Sequence, residues 1–176
     1  MRAIEDRRPR ERSARHGWWA SWPLRPYALA AVVLAIVVAA DQLSKRAVEH
    51  SIVPGEERSV FPGVQLVNTR NHGIAFGFLP GSDTIVTILI GLALLALLVY
   101  FALHSREQLI WLPTGMLIGG ALGNVLDRIR DGSVTDFIKL PLGWPPFNVA
   151  DSAITLGVLA LFLVIEHARH VRTSAP

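Results

Sequence analysis

The sequence predicts an all-α polytopic membrane protein, four transmembrane helices carrying a small, partly β extracytoplasmic cap. Three observations predict it. The 176 residues are 51% hydrophobic and only 18% charged, where a soluble domain carries about 25% charge. The apolar residues sit in dense blocks, and mean hydropathy is +0.39. A bilayer core about 30 Å thick takes about 20 residues of helix rising 1.5 Å each, and four blocks meet or approach that length. The length fits one domain. The apolar excess and the absence of cysteine exclude disorder, collagen-like structure and a disulfide-stapled scaffold, and they remove any thiolate nucleophile or zinc–thiolate site.

The basic balance, +3 with a pI near 9.9, comes largely from the start of the chain. Arg2, Arg7, Arg8, Arg10, Arg12, Arg15 and Arg25 face only Glu5, Asp6 and Glu11 there. Such a head can bind nucleic acid or anionic lipid; directly before an apolar span it reads as cytoplasmic retention, with no nucleic acid partner. The start imitates a secretory signal, but further spans follow and Asp41-Gln42 makes a poor cleavage site, so the first span is expected to stay.

That span covers 27–45, its core AVVLAIVVAA ending at Asp41. The second, 84–103, is uncharged throughout, and the link 104–108 carries Arg106. The third, 110–128, is rich in glycine: Gly115, Gly119, Gly120 and Gly123. In a water-exposed helix each would cost about 1 kcal/mol against alanine, whereas between membrane helices small residues permit close backbone approach. The fourth covers 149–166 and is followed by Arg169 and Arg172. Arginine placement puts both termini in the cytoplasm and the connections 46–83 and 129–148 outside. Trp18, Trp19 and Trp22 suit the inner interface and Trp144 the outer one. The expected division is a basic segment 1–25, a membrane domain 26–168 and a tail 169–176. In the outer connections, SVFPGVQLVNT and SVTDFIKL alternate enough to form short strands, with PGEE, LPGSD and LGWPP as turns.

Polar residues near a bilayer are costly and mark function by default. Asp41, Lys45, Asn124, Asp127, Arg128, Asp136, Asn148 and Asp151 all map toward the outer side. Asp41 and Lys45 share a helical face at i, i+4; Asn124, Asp127 and Arg128 share one at i, i+3, i+4. Either group could simply lock helices or snorkel to the interface. Asp136 lies in the strand-like run VTDFI, and Asp151 follows 15 residues later. The turn-rich LPLGWPP between them lets the chain fold back. Two carboxylates at an apolar boundary do not both ionise readily, which would supply a base for water and an acid for a leaving amine. Asp151 alone would read as a helix N-cap. HExxH, GxSxG, GxGxxG and Walker motifs are all absent and the histidines are scattered, so neither a metal nor a cofactor is expected.

The ordered set DQLSK at 41–45, NHGIAF at 71–76, GGALGNVLDR at 119–128, VTDFI at 134–138 and FNVADS at 147–152 closely resembles lipoprotein signal peptidase, or signal peptidase II. The resemblance runs from about residue 27 to 166. It implies an intramembrane aspartyl endopeptidase of the bacterial cytoplasmic (inner) membrane, acting on diacylglyceryl-modified prolipoproteins just before the lipidated cysteine. It further implies Asp136 and Asp151 as the catalytic pair. Asp41, Lys45, Asn71, Asn124, Asp127, Arg128 and Asn148 would shape and support the site. The implied fold is four helices with an extracytoplasmic β-cradle, as a monomer in contact with membrane lipid. Isoleucine in NHGIAF and the long Arg-rich head depart mildly from the family pattern. An ion translocator would place its aspartates near the midplane, and a scaffold would have no use for the second acidic pair.

Overall fold

Four helices and one antiparallel sheet make up the described residues of the computed structural model, 24–72, 83–105, 109–141 and 143–174. The Arg-rich head, Trp18, Trp19, Trp22, Arg106 and most of NHGIAF lie outside them. The order is α1 (Leu24–Ser51), β1 (Glu57–Phe61), β2 (Val64–Asn71), α2 (Asp83–His104), α3 (Trp111–Asp131), β3 (Val134–Lys139) and α4 (Val149–Ser174). All four expected helices and both strand-forming stretches are present. The helices run past the expected spans because residues 46–51 and 167–174 contain neither proline nor glycine. α1 stops only before Pro54-Gly55, where Gly55 takes φ 88°. Among the described residues two helical stretches, Leu24–Ser51 and Val149–His170, are long and apolar enough to cross a membrane.

The central helix is α3, packed against α1 on one side and α4 on the other. Its glycines explain the closeness. A Cβ on Gly115 would lie 2.6 Å from the backbone oxygen of Ala30, and one on Gly120 would lie 2.5 Å from that of Ala150. Helix backbones meet at these positions, as the small-residue pattern predicts. At one end, Ala30, Phe101 and Ile110 form an apolar cluster that ties α2 to the bundle, with Tyr27 and Phe101 edge to face at 4.9 Å. At the other, Val48, Ile52 and Phe137 join α1 to the sheet.

The sheet order is β1-β2-β3. In its register Thr69 faces Asp136, Arg70 faces Thr135 and Asn71 faces Val134. After β3 the chain returns, so that Phe147 pairs with Ile138 by reciprocal backbone bonds of 2.8 and 3.0 Å. That closure sets the start of α4 beside β3. Polarity in the bundle is inverted relative to a water-soluble protein: Asp41, Lys45, Asp127 and Asn148 are fully buried, whereas Val32, Ile36, Leu156, Phe162 and Leu163 are exposed.

Candidate active site

Asp41 and Lys45 stand one turn apart on α1 and point into the α1–α3 interface, 0% and 1% exposed. The Lys45 ammonium lies 2.7 Å from Asp41 Oδ2 and 2.7 Å from Asp127 Oδ2, and it donates to Asn124 Oδ1 at 3.0 Å. The Asp127 contact is an ion pair without hydrogen-bond geometry. Gln42 Nε2 supplies Asp127 Oδ1 with a donor at 2.8 Å. A buried ammonium is tolerable only among such partners. Gly123 makes the arrangement possible, since a Cβ there would sit 2.6 Å from Asp41 Oδ2.

The start of α4 is built on Asn148. Its Oδ1 accepts the Asp151 backbone N–H at 2.9 Å, and Asp151 Oδ2 accepts the Asn148 backbone N–H at 3.2 Å. This is a reciprocal capping box. Asp151 is therefore the third helical residue and Asn148 the cap, because Asn148 alone precedes the turn with a free side-chain acceptor. Asp41 Oδ1 satisfies a further orphan donor of that turn, the N–H of Ala150, at 2.9 Å.

Capping does not use up Asn148. Its Nδ2 donates to Asp136 Oδ1 at 2.7 Å, so one amide joins the two aspartates. Asn71 Nδ2 donates to Asp136 Oδ2 at 2.9 Å, and Asn124 Nδ2 to Asp151 Oδ1 at 2.8 Å. Each carboxylate thus has amide donors on both oxygens. Asp136 is 4% exposed, and its pKa is pushed up to about 6. Burial is the largest cause, and the negative charge of Asp151 adds to it; the Asn71 and Asn148 hydrogen bonds and the Lys45 charge oppose the rise. A carboxyl so placed can hold a proton near neutrality and give it up during a reaction.

The structure gathers Asp41, Lys45, Asn71, Asn124, Asp127, Asp136, Asn148 and Asp151 into one connected network. Arg128 joins through its own helix, Nη1 donating to the Asn124 backbone oxygen at 3.2 Å. Asn71 and Asn124, expected to shape and support the site, aim amide hydrogens at the two aspartates. Three participants escaped the sequence reading. Gln42 bridges α1 and α3; Thr135, fully buried, donates to Glu49 Oε1 at 2.6 Å, and Glu49 pairs with Arg70 at 3.1 Å. Glu49 stands one turn beyond Lys45 on the same face, a spacing that could have revealed it. Thr135 carried no such signal, because β3 is buried on both faces. Among the described residues no three His, Asp or Glu side chains converge as metal ligands.

The sequence profile of the family described as Signal peptidase (SPase) II matches residues 33–166. The chain belongs to the signal peptidase II family. This family consists of aspartic peptidases that cleave lipoprotein signal peptides, and the chain is a peptidase of this kind. The lipoprotein signal peptidase of Syntrophomonas wolfei is 41% identical over 142 residues, 80% of this chain and 95% of the relative. That of Anaplasma phagocytophilum is 34% identical over 158 residues, 86% of this chain and the whole relative. Among solved structures, a bacterial membrane enzyme determined by the in meso method at 2.3 Å superposes with a TM-score of 0.73 and 30% identity, covering 84% of this chain and 92% of the other. The signal peptidase II match contains every residue of the network above.

Proposed function

We propose that Asp136 and Asp151 are the catalytic pair with which this signal peptidase II hydrolyses diacylglyceryl-modified prolipoproteins immediately before the lipidated cysteine. The observation that carries the reading is Asn148: it binds Asp136 through its amide and Asp151 through the capping box. Two acids 15 residues apart in sequence are thereby held together at one end of the bundle. The pair holds one proton, and burial together with the Asp151 charge favours the protonated form of Asp136. Asp151 takes a proton from water as the water oxygen attacks the scissile carbonyl. Asp136 gives its proton to the departing nitrogen, and the C–N bond breaks. Asn71, Asn124 and Asn148 hold the two carboxyl groups, while Asp41, Lys45 and Asp127 fix the helices that carry them. Arg128, half-buried beside Asn124, is assigned to the substrate.

In this reading 26–168 is a four-span unit in the cytoplasmic membrane, with both termini, 1–25 and 169–176, in the cytoplasm and the sheet on the outer side. The buried polar and exposed apolar side chains support it, since helices in lipid show that inversion. The lipid chains of the substrate would stay in the bilayer beside the bundle. The test is cleavage of a diacylated precursor and its unmodified form by purified enzyme in micelles. We expect the first to be cut before the modified cysteine and the second to survive; equal cleavage of both would overturn the substrate assignment.

A further inference from the structure

We infer that Lys45 is a positioning residue for the catalytic pair, acting on Asp151 through the side-chain amide of Asn124. The inference rests on the assignment of Asp151 proposed above. A primary amide has a donor end and an acceptor end, and turning it over exchanges them. Asn124 is held at both. Its Oδ1 faces the Lys45 ammonium at 3.0 Å and the Asn148 amide at 3.2 Å, while its Nδ2 faces Asp151 Oδ1 at 2.8 Å. The ammonium is only a donor, so the oxygen must point toward α1 and the N–H toward Asp151. Turned over, Asn124 would set an amide hydrogen against a buried cation and a lone pair against a carboxylate.

Lys45 is itself immobile. It is 1% exposed and 2.7 Å from each of two carboxylates, and Asp41 is in turn tied to the Ala150 N–H of α4. Asn148 needs no such help: the backbone N–H of Asp151 fixes its oxygen and leaves its amide hydrogens for Asp136 at 2.7 Å and Asn124 at 3.2 Å. Asn148 is thus oriented by the start of α4 alone, whereas Asn124 also takes the charged donor on α1, at the shorter distance of 3.0 Å against 3.2 Å from the Asn148 amide. The ammonium hydrogen-bonds to Asp41 Oδ2 and to Asn124 Oδ1, and the second of these ends on the amide that faces Asp151.

Lys45→Met alone strands two buried carboxylates, so the test is made against Asp127→Asn, which offsets the lost cation. Four proteins are compared for kcat, KM and thermal melting on a diacylated precursor: Asp127→Asn alone, with Lys45→Met, with Asn124→Ala, and with both. Lys45→Met should lower kcat on the order of ten- to a hundredfold, the kinetic equivalent of one hydrogen bond to a charged group. KM and melting should stay close to those of Asp127→Asn. Once Asn124 is removed, Lys45→Met should cost little more, because both act along one path. Losses that multiply, or an unchanged kcat, would overturn the inference. Should the multiple variants not fold, Asn124→Asp in the wild-type background keeps the Lys45 contact and replaces the donor facing Asp151 by oxygen. Its kcat should fall at least tenfold, and a wild-type kcat would overturn the inference. Asp151→Asn is measured alongside: if it still cleaves, the catalytic assignment itself fails, whereas if it is inactive and the losses multiply, only the role of Lys45 does.

Discussion

Asp41, on α1, accepts the backbone N–H of Ala150, in the first turn of α4, at 2.9 Å, while its second oxygen holds the Lys45 ammonium at 2.7 Å. One carboxylate therefore serves helix packing and active-site placement together. The N-terminus of α4, which carries Asn148 and Asp151, cannot drift from α1 without leaving a buried N–H unsatisfied.

The first prediction concerns that tie. In Asp41→Asn the amide oxygen can still accept from Ala150, but Lys45 keeps Asp127 as its only buried anion. Weakening a buried pair by one partner should cost about 2–3 kcal/mol. Thermal melting in detergent should show the loss, and the protein that remains folded should still cleave. An unchanged melting temperature would refute the structural role.

A second prediction separates two glycines of one helix and its cap. Gly123→Ala puts a methyl group 2.6 Å from Asp41 Oδ2 and 3.3 Å from Ala150 Cβ, against groups that are themselves anchored. Both stability and cleavage should fall sharply. Gly132, the C-cap of α3 at φ 69°, has nothing within 4 Å of an added Cβ. Gly132→Ala should cost only the strain of a left-handed residue, about 1–2 kcal/mol, with activity retained. Equal effects of the two on activity would contradict the packing described for α3.

Much of this was legible in the sequence, for reasons that differ between elements. The helices were legible because an apolar block of bilayer length has few other uses. The Asp41–Lys45 pair was legible because helical spacing dictates which residues share a face. The double duty of Asn148 was not, since it depends on the Phe147–Ile138 bridge that sets α4 against β3, a contact with no periodicity to reveal it. For the same reason Asp151 could read as a cap, when Asn148 caps and Asp151 reciprocates. Helix ends were missed because bilayer length limits the apolar block and not the helix: α1 continues to Ser51 and α4 to Ser174.

The third prediction follows from proton binding at Asp136. Its folded pKa, about 6, lies above the ordinary 3.8. The folded protein therefore binds this proton more tightly than the unfolded chain, and the associated stability is complete below about pH 3.8 and lost as pH rises through about 6. The amount is on the order of 3 kcal/mol. Wild-type stability minus that of Asp136→Asn should decline between pH 4 and pH 7, as read from melts of both across that range. A flat difference would show that Asp136 titrates as an exposed acid. Activity should decline over the same window as the pair loses its shared proton.

The last prediction addresses the pair directly. Asp136→Asn and Asp151→Asn keep side-chain size and remove the group that can give or take a proton. General acid–base catalysis contributes about 10²–10⁴-fold per group, so each change should bring cleavage close to background. The double variant should be scarcely worse than either single one, because the two act as a unit. Their structural effects should differ. Asp151 accepts from Asn124 on one oxygen and from the Asn148 backbone on the other, and asparagine can answer only one of these donors. Asp151→Asn should therefore lose about 1 kcal/mol through its weakened capping box. Asp136→Asn likewise meets two amide donors, but it sheds the cost of burying a charge above pH 6 and should melt no lower than wild type there. Binding of a diacylated precursor should persist in both, since lipid burial and backbone contacts do not depend on the proton. The measurement is cleavage and binding for each variant with a melt of the same preparation. A folded variant that cleaves at the wild-type rate would remove its residue from the mechanism.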